Sequence, residues 1–123
     1  MRLLSRTIGA DRVVDELHVS FKHSQDMPWI LPGIPATNKE VEVIVVSIVC
    51  IRGGKLYHEH VYWDQAAVLV QVGLIDPKLV PEDLKGEGVS RLPVVGREAA
   101  RRMLGDSEGE ARNQLIAGWK DEV

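Results

Sequence analysis

The stretch from Lys39 to Arg52, KEVEVIVVSIVCIR, constrains this chain more than any other. Read as a strand, it puts Val41, Val43, Val45, Ser47, Val49 and Ile51 on one face. Glu42, Ile44, Val46, Ile48 and Cys50 fall on the other. Both faces are apolar and rich in β-branched residues, so the strand belongs in the centre of a sheet, covered on both sides. Gly53-Gly54 follows directly and is a two-residue hairpin signal, because glycine tolerates the positive φ that such turns need. Pairing Arg52 with Lys55 would place Ile44, Val46, Ile48 and Cys50 on a face with Tyr57, Glu59, Val61 and Trp63. His58, His60, Tyr62 and Asp64 would then join Val43, Val45, Ser47 and Val49. A shift of one residue would exchange those two sets.

Other segments arrange themselves around this hairpin. Met1 to Ala10 shows little periodicity and reads as a lead-in. From Asp11 an extended alternation sets Val13, Asp15, Leu17, Val19 and Phe21 against Val14, Glu16, His18, Ser20 and Lys22. The second row is mostly polar and meets water. His23 to Asn38 is a loop, with Pro28, Pro32, Gly33 and Pro35 as turn formers. Its apolar residues Met27, Trp29, Ile30, Leu31 and Ile34 are too many for a solvated connection, so it either folds over the mouth of a pocket or caps the core. Asp64 is placed to cap a short helix through Val68 and Gln71 that Gly73 stops. Asp76 to Gly88 is loop, Gly96 to Leu104 a helix stopped by Gly105, and Glu110 to Lys120 a last helix carrying Leu115, Ile116 and Trp119.

The size of the chain, 123 residues, suits one domain, with core strands over about 11–64 and a helical tail over about 65–123. No apolar run approaches the roughly 20 residues of a membrane span, and the first residues lack a secretory pattern. With a net charge of −3 and scattered basic residues, a nucleic-acid surface is not indicated. Cys50, the single cysteine, sits in an apolar strand and reads as a buried thiol, which fits a cytoplasmic setting.

The chemistry on offer is carboxylate and imidazole. Asp15 stands in an otherwise apolar row, where a carboxylate costs free energy unless it is paired, hydrogen-bonded or lines a wet cavity; alternatively it reaches solvent at the strand end. His58-Glu59-His60 has three readings. The histidines could ligate a metal with Asp64 or His18, but the spacing fits poorly, so neither metal nor cofactor is expected. Glu59 could act as an acid or base in a pocket with Asp15. The run could also be a polar outer face with one satisfied carboxylate.

The order strand, loop, long apolar strand, glycine turn and a strand ending in aromatic-Asp before a short helix resembles the nuclear transport factor 2-like superfamily. GGKLYHEHVYWDQAAVLVQVGLID is similar to its SnoaL-like (polyketide cyclase-like) branch, with SRTIGADRVVDE, LPGIPAT and a weaker LPVVGREAARRML agreeing. The resemblance implies an α+β fold, a curved antiparallel sheet flanked by helices around an apolar cavity, in a chain that starts after the family's N-terminal helices. It also implies a homodimer formed through the sheet. The positions matching the Arg-Asp-Asp set of the family's limonene epoxide hydrolases hold Leu17, Val19 and Val61, so that reaction is not expected. What remains is proton transfer on a small hydrophobic carbonyl compound, with Asp15 or Glu59 as base and Tyr57 donating to an oxyanion. His23, Trp29, His60 and Trp63 would line or rim the pocket. The alternative is a non-catalytic ligand-binding or dimerisation domain, or an inactive truncated member of the family.

Overall fold

The computed structural model describes residues 1–86 and 88–105. Four strands, β1 (Arg2–Ile8), β2 (Arg12–Lys22), β3 (Glu40–Arg52) and β4 (Lys55–Trp63), form one antiparallel sheet in the order β1-β2-β3-β4. Among the described residues two short helices follow, α1 (Gln65–Gln71) and α2 (Glu98–Met103), with a 3-10 turn at Glu82–Leu84 between them. The expected central strand is β3, paired along its length with β2 from Arg12↔Cys50 to Lys22↔Glu40 and at its far end with β4.

β1 corrects the reading of Met1 to Ala10 as a lead-in. It pairs with β2 from Arg2↔His18 to Ile8↔Val13, with a bulge between Leu3 and Ser5. Its alternation is weak because it is an edge strand with mostly exposed side chains, and an uncovered strand needs no apolar face to form.

At the β3–β4 hairpin Gly53 and Gly54 both have positive φ, 57° and 71°, and Arg52 pairs with Lys55 as expected. The register then slips. Ile51 pairs with Leu56 but Cys50 with His58, leaving Tyr57 as the extra residue of a bulge. The consequence is the exchange of faces that a one-residue shift entails. Glu59, Val61 and Trp63 lie opposite Val49, Ser47 and Val45, while His58, His60 and Tyr62 lie opposite Cys50, Ile48 and Val46.

One face of the sheet holds the core. Val41, Val43 and Val45 are buried there against Val68 and Val72 of the α1 region and against Ile30 and Leu31 of the 23–38 loop, flanked by Leu17, Val19 and Phe21. Burying side chains of this size contributes roughly 1.5–3 kcal/mol each. That packing is what holds α1, since a helix of its length is not stable in isolation. The Asp64 carboxylate caps it, Oδ1 accepting from the Ala67 N–H at 3.1 Å, and Gly73 leaves it at φ 83°. The loop is closed at its base, where His23 N–H donates to the Lys39 carbonyl and Asn38 N–H to that of His23, both at 2.8 Å. It caps the core with Ile30 and Leu31, each 1% exposed.

β4 ends at Trp63, level with Val45, so among the described residues no strand lies beside the edge of β3 beyond it. α2 sits near that edge, tied to Glu42 by Arg101 at 2.9 and 3.2 Å. The helix expected over Glu110 to Lys120 lies outside the described residues. Among the described residues no helix is long and apolar enough to cross a membrane.

Candidate functional site

Trp63 is the last residue of β4 and points to the covered face. Its indole N–H donates to Gln65 Oε1 at 2.6 Å, and Gln65 Nε2 donates to the Ile30 carbonyl at 2.8 Å. That relay ties the start of α1 to the loop and fixes the ring. Trp29 from the loop then stands edge-on to Trp63, with ring centroids 5.9 Å apart at 71°, and Phe21 approaches Trp29 at 6.4 Å. Beside this aromatic row lies a mostly apolar groove of about 420 Å³, formed by Trp29, Ile30 and Pro32 of the loop and Val61, Tyr62 and Trp63 of β4. It is shallow and opens broadly to solvent. Trp29 is 51% and Tyr62 58% exposed, so solvent reaches both walls.

Asp15 and Glu59 share the covered face with this groove, on the half that the loop leaves open. They flank Ser47: Asp15 is its direct neighbour on β2, and Ser47 Oγ donates to Glu59 Oε1 at 2.9 Å. Asp15 is paired. Arg6, its neighbour on β1, donates to both carboxylate oxygens at 2.7 and 2.9 Å. Those hydrogen bonds hold the Asp15 carboxyl below its ordinary range, against a smaller opposing effect of desolvation. Neither Arg6 nor Ser47 is a candidate in the sequence. Arg6 lies in a segment without periodicity, and the one available signal for Ser47 is its hydroxyl in an apolar row.

The other candidates are elsewhere. Tyr57, at the bulge, lies under the Arg52 guanidinium at 4.6 Å and against His58. His58 and His60 stack at 4.7 Å and 18° on the face opposite Glu59. Burial, and then the nearby charges of His60, Arg12 and Arg52, push the His58 imidazole below its ordinary value. His23 is fully buried at the base of the loop, where its Nδ1 accepts from the Thr37 N–H at 3.2 Å. Among the described residues no group of three or more His, Cys, Asp or Glu is placed to hold a metal ion.

No family model matches the chain, and no curated protein matches it. Among solved structures it is similar to TsrD from Streptomyces laurentii, with 20% identity and a TM-score of 0.51, over 60% of this chain and 52% of that one. The likeness shows a shared fold over that stretch. The chain spans about half the length of TsrD.

Proposed function

We propose that the chain is a non-catalytic binding domain of the SnoaL-like kind, built on a nuclear transport factor 2-like sheet, and that the Trp29–Trp63 groove takes a small hydrophobic molecule. The observation that carries the reading is the groove itself: two tryptophans, one exposed and one locked by Gln65, beside an apolar wall. The antiparallel sheet with helix and loop on one face supports the fold. Asp15 speaks against catalysis, because a carboxylate held ionised by a bidentate arginine is a weak proton acceptor.

A second reading has one observation in its favour. Glu59, Val61 and Trp63 follow one another on the same face of β4, so a carboxylate oriented by Ser47 stands next to the groove wall. In that reading Glu59 removes a proton α to a bound carbonyl.

One neutral aromatic ketone, 2-acetylnaphthalene, tests both. Binding should quench tryptophan fluorescence in the native chain and not in Trp29→Ala. In D₂O the bound ketone should not exchange its methyl protons faster than free ketone does. Exchange that is accelerated, and lost in Glu59→Gln, would establish the second reading; absence of saturable quenching would remove the first. The resemblance also supports a homodimer, which sedimentation equilibrium tests directly.

A further inference from the structure

The segment between α1 and α2 brings two guanidinium groups, those of Arg91 and Arg97, to a cleft that Arg102 of α2 also lines. Arg91, Arg97 and Arg102 line a space of about 610 Å³, with Glu98 as the one carboxylate among the described lining residues and with Val70 and Val95 among its apolar walls. In a chain whose net charge is −3, this is a local reversal of sign. The cleft is held in shape from both sides. Leu92 N–H donates to the Pro77 carbonyl at 2.6 Å, and Arg91 is anchored by a bond from Nη2 to the Val94 carbonyl. A Cβ on Gly96 would stand 3.4 Å from the Gln71 side chain, so the segment lies close against α1.

We propose that this cleft is a second ligand site, specific for a small organic anion: an oxyanion group carried on an apolar body. The cations select the charge. Arg97 also acts through space on Glu42, but that carboxylate is already engaged by Arg101, so Arg97 has no short-range carboxylate partner in Glu42. Arginine suits oxyanions because its planar fork presents parallel donors. The valines and the volume select the body, since a bare inorganic ion would leave most of the space to water. The site is separate from the tryptophan groove, sharing no lining residue with it, and does not depend on what that groove binds.

The test uses 2-naphthoate as probe on the ¹⁵N-labelled full chain, following amide resonances. The expected result is a saturable shift of Val95 and Gly96 that weakens as sodium chloride is raised. Arg91→Gln and Arg97→Gln should each weaken binding about fivefold or more, while Arg97→Lys retains part of it. Arg6→Gln, at the far edge of the sheet, should leave it unchanged. Neutral 2-acetylnaphthalene should not move Val95 or Gly96, and inorganic phosphate should bind there more weakly than naphthoate. The proposal is overturned by any of three results: no shift at millimolar naphthoate, equal shifts with the neutral ketone, or undiminished binding in a folded Arg97→Gln chain.

Discussion

Gln71 pairs with the backbone of Glu42 as a neighbouring strand would: its Oε1 accepts from the Glu42 N–H at 2.8 Å and its Nε2 donates to the Glu42 carbonyl at 2.9 Å. β4 has already ended at Trp63, so a side-chain amide continues the ladder by one residue. Replacing it by leucine keeps the helix and removes both bonds. Leaving part-buried backbone groups unsatisfied costs about 1–3 kcal/mol. Urea denaturation of Gln71→Leu should show that loss, and hydrogen exchange at the Glu42 amide should accelerate relative to Val43. Unchanged exchange at Glu42 would mean that the Gln71 bond is not what protects this amide, and unchanged stability that water replaces it without cost.

The Asp64 cap is a separate test of how α1 is held. Asp64→Ala removes the acceptor for the Ala67 N–H and should destabilise the chain by about 0.5–2 kcal/mol. Asp64→Asn, which keeps an oxygen, should lose less. Equal losses in the two would show that the carboxylate charge matters more than the hydrogen bond.

Asp15 and Arg6 make a prediction about pH. The folded carboxyl titrates below its reference value of 3.8. Its contribution to stability is therefore complete above that value and is lost as pH falls through the lower folded one. Stability of the native chain should drop more steeply below about pH 4 than that of Asp15→Asn. In Arg6→Gln, carboxyl NMR should find the Asp15 titration moved upward. A midpoint that ignores Arg6 would mean the ion pair does not persist in solution.

His58 shifts for a different reason, and the sign follows from it. Burial comes first and disfavours the charged ring, with His60, Arg12 and Arg52 adding repulsion. The neutral form is favoured on folding, so stability is fully present above the reference value of 6.5 and declines as pH falls through the lower folded one. His60→Gln should raise the His58 midpoint part of the way, because the burial remains. Proton NMR of the imidazole resonances measures it; a midpoint at or above 6.5 in the native chain would remove the claim.

Much of this is legible in the sequence itself. β3 shows in its two apolar registers, the hairpin in Gly53-Gly54, and the start of α1 in Asp64. These are local signals, and local chemistry suffices for them. β1 was not legible, because an edge strand with exposed side chains carries no period. With β1 went the partner of Asp15: the pairing that an apolar row demanded was supplied by Arg6, from a segment that reads as structureless. The carboxylates Asp15 and Glu59 do share a face, whereas Tyr57 is parted from them by a slip in register that no residue type announces.

That slip amounts to a transposition. With Tyr57 set aside, β4 offers glutamate, valine and tryptophan to the covered face of the sheet and two histidines and a tyrosine to the opposite face; with Tyr57 in register the offers would be reversed. The identity of the wall is thus stored in the count of paired residues between the glycine turn and Trp63 rather than in any one of them. Closing the bulge with Tyr57 kept in the ladder would exchange the two faces, whereas loss of the Tyr57 codon would leave both as they are.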